Sequence, residues 1–392
     1  MKKSTLILIG IAAVVVLFTI WLYLLFYGTP KQLTDVFTNF SGLGSDTPGE
    51  FIETPEESVP PTTVDVLTTK LRQLTTKPVI GFRDYQATTS EPRFVRYAEA
   101  GTGHVYQINL QTGVEERLSK TTIVNAQSAA FSPNGKYVAI RSGYGTQNEV
   151  VLIELVGGEE SIVYNLAPQM KDFAFSYNNE LLFSELSTEG IIGKSLMPST
   201  RISRTIFNVP FQSATILWSS DGTTPHYVYP KATSKLQGYL YAIKNGVINR
   251  QPISGPGLTA EGNAQFITFT TVSSVEPISY FRDISSGSTT QSAIVTEPSK
   301  CVLGVKYASI MYCGYEITQY GNDFPDDWYK GTRSFSDRIW QINLNTNQTK
   351  QIASPLVIAG RDVDIIDISL GADEKELYFR NKNDNTLWQY EI

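Results

Sequence analysis

The residues able to do covalent or metal chemistry are few: the 392-residue chain has two cysteines and two histidines. Cys301 and Cys313 flank Val302 to Tyr312, which reads as strand, turn and strand. Opposed residues on adjacent antiparallel strands have Cβ atoms about 4.5–5.5 Å apart, close enough for a disulfide after small adjustment. A disulfide is the expectation, with two buried thiols or a redox pair as the alternatives. This supply of Cys and His excludes most zinc, haem and iron–sulfur sites. His104, at the start of a strand, and His226, after Thr224-Pro225, read as surface or packing residues. There is no Gly-x-Ser-x-Gly elbow, no Walker loop and no Cys/His metal spacing. No catalytic, metal-binding or cofactor-binding residue is assigned, and no cofactor is expected. A paired-carboxylate glycosidase stays open, because Asp and Glu are numerous.

One segment concentrates recognition chemistry. GYEITQYGNDFPDDWYKGTRSFSD, after Cys313, carries Tyr315, Tyr320, Asp323, Asp326, Asp327, Trp328 and Tyr329. Exposed Trp and Tyr beside carboxylates suit a protein hot spot or a stacking platform for sugars. These seven residues form the candidate recognition loop. Two other readings compete with it. Trp328 would pack under its own loop while the acids cap turns, or the oxygens would hold calcium, although no EF-type loop is present.

The elements that position this loop are repeats. FSPNGKYVAI at 131 returns as FSYNNELLF at 175, WSSDG at 218 and, more loosely, ISLGADEKELYF at 368. A second piece, VYQINLQTG at 105, matches IWQINLNTN at 339, with weaker copies at 240 and 387. Pro133-Asn134-Gly135 is turn chemistry: Pro fixes φ, and Asn-Gly tolerates positive φ. Each unit therefore reads as four antiparallel strands in roughly 40–50 residues, the pattern of a propeller blade. Seven blades fit residues 66–392, with innermost strands near Val79, Ala129, Phe173, Ile216, Phe266, Val302 and Ile366. The fold class is thus all-β, a seven-bladed propeller of four-stranded antiparallel blades.

The aromatic-Ser-Pro-Asn-Gly-Lys stretch at residues 131–136 resembles the PD40/TolB-type (WD40-like) propeller repeat. The whole chain, including Pro325-Asp326-Asp327-Trp328-Tyr329-Lys330-Gly331, is similar to membrane-anchored propeller proteins of bacteria, a resemblance that brings no activity with it. Ile392 falls where the third strand of a blade ends, and residues 70–76 resemble outer strands such as residues 113–119. The expectation is a ring latched by an N-terminal strand completing the last blade.

Upstream, Lys2 and Lys3 precede an uncharged run from Leu6 to Tyr27 that ends in Trp21, Tyr23, Phe26 and Tyr27. At about 1.5 Å per residue it spans roughly 30 Å, a bilayer's hydrocarbon thickness, and it is too long for the apolar region of a cleaved signal. Residues 5–27 are read as a signal-anchor transmembrane helix, with residues 1–4 as a short cytoplasmic end. Between residues 32 and 69 there are seven acids and no Lys or Arg. Residues 28–65 read as a flexible acidic linker rich in Pro, Thr and Ser, and residues 66–392 as the extracytoplasmic propeller. A net charge of −6 argues against nucleic acid as a partner.

The sequence thus points to a single-pass protein of the inner cell membrane. It would act as a non-catalytic protein-binding or scaffold module for an envelope or surface protein. The alternative is a propeller hydrolase or lectin acting on envelope carbohydrate.

Overall fold

The computed structural model describes Phe18 and residues 70–88, 90–144, 147–273, 276–317, 320 and 323–392. The chain divides into two units, Met1–Thr62 and Thr63–Ile392. The expected anchor and linker lie outside the described residues, apart from Phe18. Among the described residues no helix is long and apolar enough to cross a membrane.

The second unit is a seven-bladed β-propeller in which every blade is a four-stranded antiparallel sheet. The first strands of the blades are Val79–Tyr85, Ala126–Phe131, Met170–Phe175, Ala214–Leu217, Thr259–Gly262, Cys301–Leu303 and Ile365–Leu370. Six of them lie where the repeat puts them. The fifth is a correction, because Phe266 opens the second strand of its blade, Phe266–Ser273, and the inner strand is Thr259–Gly262. Thr259-Ala260-Glu261-Gly262 has no aliphatic run, whereas Phe266-Ile267-Thr268-Phe269 has strong β character.

The ring closes by the expected latch. Leu71–Gln73 pairs with Leu387–Glu391, Leu71 opposite Tyr390 and Gln73 opposite Trp388. Leu71 is buried in a cluster with Tyr312, Ile339, Ala353, Trp388 and Tyr390, so it joins blades 6 and 7 as well as closing the sheet. The edge of Leu387–Glu391 is thereby covered.

The repeated turn has a second task. Gly135 sits at φ 67°, and the equivalent turn positions Asn179, Gly222 and Glu374 are also left-handed. These turns lie on the lower face, where they bind neighbouring blades. Asn134 N donates to Asn179 Oδ1 at 2.8 Å, and Asn263 Nδ2 donates to the carbonyls of Gly304 and Ala308. Glu374 accepts from Val305 N and Lys306 N, and Asp84 from Ala372 N. Arg96 donates to the Gly135 carbonyl. Side chains of one turn thus cap the orphan backbone groups of the next.

Cys301 and Cys313 are directly opposed across the first two strands of blade 6 and are bonded, with Cα atoms 4.1 Å apart. In the chain-entropy model a cross-link over so short a loop stabilises by roughly 2–3 kcal/mol. Replacing both cysteines by serine should lower the urea midpoint accordingly, and an unchanged midpoint would deny the bond a structural role.

Candidate recognition site

The insertion joins the second strand of blade 6, Ile310–Tyr315, to the third, Arg338–Asn343. By strand alternation it stands on the upper face, together with the links between blades. It is a packed cap. Phe324, Trp328 and Phe335 form a small core of their own, against which Tyr320 and Ile366 pack. Trp328 is 3% exposed, so the packed reading holds for it and its ring offers no surface to a partner.

The acids fasten the cap. The Asp326 Oδ2 accepts from Ser234 N at 2.7 Å and from Thr233 Oγ1 at 3.1 Å, reaching across the face to blade 4. Burial opposes ionisation of Asp326, but these donors outweigh it and hold its carboxyl below the usual value. Asp327 accepts from the backbone of Trp328 and approaches Arg333 at 3.6 Å. Tyr320 donates to the Val295 carbonyl at 2.6 Å. Tyr315 packs edge-on against Trp340. Asp323 is exposed, and Tyr329 exposes its ring while its hydroxyl points inward. Tyr315 ends the second strand and the other six lie in the loop; five of the seven are engaged with their own fold, and Asp323 and the Tyr329 ring are left exposed.

Beneath the cap lies a charged cluster with no motif in the sequence. Lys300 Nζ stands 2.6 Å from Asp337 Oδ2 and 2.8 Å from Asp364 Oδ1, with all three side chains at most 3% exposed. Trp328 Nε1 donates to Asp364 Oδ2 at 2.9 Å. Lys382 donates to the Trp328 carbonyl and lies over its ring, 4.3 Å from the centroid. Burial lowers the Lys382 pKa, and Asp364 offsets part of that effect. Burial pushes the Asp337 carboxyl up to about 6 in spite of Lys300. Lys300 ends a single helical turn, the two aspartates lie in loops, and all three are far apart in sequence. The one local sign is a lysine beside Cys301.

Glu297 is buried next to this cluster, accepting from Tyr329 Oη at 2.8 Å and Thr259 Oγ1 at 3.1 Å. Burial raises its pKa from the ordinary 4.5 to about 7, against the pull of these donors and of Lys300. The folded state therefore binds this proton more tightly than the unfolded chain. Stability from Glu297 is fully present below about pH 4.5 and is lost as pH rises through about 7. Glu297→Gln should flatten that part of the pH profile and stabilise the fold at pH 8 by on the order of 2 kcal/mol. Urea midpoints at both ends of the range measure it, and parallel wild-type and variant profiles would refute it.

The lower mouth of the central channel holds a cavity of about 450 Å³, lined by Arg83, Trp218, Glu261 and Glu374 among others. Trp218 is fixed by Nε1 donating to the Asp172 carbonyl at 2.7 Å. Glu261 is enclosed enough for burial to push it to about 7. Asp84 and Glu374 accept from backbone N–H groups of neighbouring turns, and Asp221 accepts from Thr223 N and Thr224 N within its own turn. His226 lines a separate 490 Å³ cleft between blades 3 and 4, its Nδ1 accepting from Ser219 N at 2.9 Å. Burial lowers its pKa. His104 contacts Thr122 Oγ1 at 2.9 Å and Glu99 at 3.5 Å. Among the described residues no three His, Cys, Asp or Glu side chains are grouped to hold a metal ion.

With this geometry in hand, comparisons with solved structures bear on the fold. An oligogalacturonate lyase in complex with manganese shares 12% identity over 80% of this chain and 96% of that one, with a TM-score of 0.50. The oligogalacturonate lyase of Vibrio parahaemolyticus shares 10% over 80% and 97%, with a TM-score of 0.51. The Swd1 β-propeller domain of Myceliophteria thermophila shares 9% over 82% and 99%, with a TM-score of 0.53. Two lyases and the Swd1 propeller are thus about equally similar, and at these identities the likeness is one of fold alone. No protein-family model and no curated protein matches the chain.

Proposed function

We propose that the chain is a membrane-anchored, extracytoplasmic propeller that binds an envelope or surface protein without catalysing a reaction. The anchor in this reading rests on the uncharged run Leu6 to Tyr27, and the PD40/TolB-like character on residues 131–140. One observation carries the binding role. The short helix Pro355–Ala359, in the link between blades 6 and 7, exposes Leu356, Val357 and Ile358, with Val357 at 82%. Ile317, in the insertion, is also exposed, and it lines a 280 Å³ recess with Leu356 and Val357. Glu316, Arg338 and Asp362 line the same recess. Apolar side chains grouped in the open and edged by polar residues are the surface expected of a protein contact. In the insertion beside them Phe324, Trp328 and Phe335 are spent on its own core.

The test is crosslinked capture from native envelopes by the full chain and by a Leu356→Asp/Val357→Asp variant. These side chains are exposed, so folding should be kept while capture of a specific protein drops at least roughly tenfold, as for a hot-spot loss. Equal capture by both chains would overturn the reading.

A second reading, action on or binding of carbohydrate, is favoured by the channel-mouth cavity with Trp218 as a stacking face and Arg83 and Glu261 beside it. Two structural neighbours, both oligogalacturonate lyases, lean the same way. It ranks second because three of the mouth's carboxylates are already used as turn caps. Binding to a glycan array that is lost in Trp218→Ala would reverse the order.

A further inference from the structure

Lys300 ends the single turn Pro298–Lys300 that leads into the inner strand of blade 6. Its side chain runs under the cap into a space closed by aromatic rings, with the Phe335 centroid 4.3 Å and the Trp328 centroid 5.4 Å from Nζ. Two carboxyl groups meet it there, and they are held differently. Asp364 is bound on both oxygens, by Trp328 Nε1, Phe335 N and Lys300. Asp337 receives Lys300 and the Ile365 N–H, at 2.8 Å, on Oδ2 alone. Its Oδ1 is buried and has no hydrogen-bond partner. Such an orphan acceptor on a side chain 1% exposed calls for an explanation.

A cation in this box also has an alternative to remaining charged. Ion pairs withdrawn from water carry a large desolvation penalty, and conversion of the pair to a neutral amide removes it. The parts of an amide-forming site are present: an amine, a carboxyl whose burial favours the neutral acid, and a second carboxylate within hydrogen-bond reach to move protons. Holding amine and acid in contact replaces a bimolecular encounter, an advantage of roughly 10⁵–10⁸ M in effective concentration when orientation is right.

We infer that Lys300 Nζ and Asp337 Cγ become joined by an intramolecular isopeptide bond once the cap has folded. One ammonium proton passes directly to Asp337 Oδ2, 2.6 Å from Nζ. The freed amine attacks Cγ, and the negative charge develops on Oδ1. The surplus nitrogen proton passes, by way of Asp364 Oδ1 at 2.8 Å from Nζ, to the Oδ2 hydroxyl, the Cγ–Oδ2 bond breaks, and water leaves with Oδ1 as the amide oxygen. One ammonium and one carboxylate become one amide and one water, Asp364 ends as it began, and no oxidant or reductant is consumed. The bond ties the link before blade 6 to the far end of the insertion, beside the disulfide, so the cap is clamped at its base by two cross-links.

The test is the intact mass of the full chain, purified without heating or acid. It should lie one water below the mass of the disulfide-bonded sequence. Trypsin should fail to cut after Lys300 and should release a single branched peptide carrying residues 300 and 337. Lys300→Arg should restore the full sequence mass. A wild-type chain at full sequence mass overturns the inference without recourse to any variant, and so does a water loss that persists in Lys300→Arg.

Discussion

A chain lacking residues 70–76 will lose the cooperative melting transition of the parent ring or undergo it at a much lower temperature. The segment supplies the outer strand of blade 7, and its loss leaves Leu387–Glu391 as an open edge whose Leu387, Trp388 and Tyr390 are buried in the parent. Beyond the ladder itself, Leu74 N donates to the Leu387 carbonyl, Leu387 N to Thr75 Oγ1, and Glu391 N to the Lys70 carbonyl. Leu71 adds apolar burial between blades 6 and 7. Leu71→Ala alone should cost about 2–5 kcal/mol, the range for emptying a leucine site in a core. Set against a typical domain stability of about 5–15 kcal/mol, loss of the whole strand removes most of the margin. Near-ultraviolet circular dichroism during heating reads the outcome, and the exposed edge should also make the truncated chain aggregate. Melting at the parent temperature would show that blade 7 stands on three strands and that the latch is ornamental.

Lys300→Met should be the most damaging point substitution in the cap. It leaves Asp337 and Asp364 almost completely buried, with hydrogen-bond donors such as Trp328 Nε1 and the Ile365 N–H, and the more distant charge of Lys382 on Asp364, as what remains to offset their charge. Removing one partner of a buried pair costs about 3–5 kcal/mol, because the remaining charge is uncompensated. The pH dependence gives the effect its signature. Lys300→Met cannot form the cross-link, so its Asp337 stays a free carboxyl; burial raises that group's pKa even with Lys300 beside it to oppose the shift, and without Lys300 it must rise further. A carboxyl with a raised folded pKa gives stability that is present at low pH and lost as pH rises through that pKa. The deficit of Lys300→Met should therefore be large at pH 8 and shrink towards pH 5. A deficit that does not change with pH would mean that packing of the lysine stem against Phe335 and Trp328, rather than its charge, is what matters.

The two expectations differ in how readable they were. The latch could be read because residues 70–76 carry the pattern of an outer strand and the last blade is one strand short. Both facts are local patterns of period two, with turn residues at their ends. The disulfide was readable for a similar reason, since two cysteines flanking one hairpin can only face each other or miss by a residue. The inner strand of blade 5 was misplaced because the ring, and not the composition of Thr259–Gly262, makes that segment a strand. Its neighbours supply the burial that its side chains do not advertise.

The candidate site was less legible still. Asp326 and Trp328 stood out by type, and type suggested exposure, yet a loop of this length must bury its own aromatic residues to hold a shape. Trp328 went inward because an apolar floor from Ile366 and a hydrogen-bond acceptor at Asp364 were waiting there. Lys300, Asp337, Asp364 and Glu297 carry no spacing that sets them apart from the other charged residues of the chain.

By itself the sequence determined the blade count, the hairpin chemistry, the closing strand and the cysteine pair, because each depends on neighbours within a few tens of residues. Only the tertiary structure decided which charges are buried together, which rings are spent on the core, and that Leu356, Val357 and Ile358 are left in the open. Those outcomes depend on what closing the ring brings against a given loop, and desolvation, which sets their energies, is a property of the assembled surroundings rather than of any residue alone.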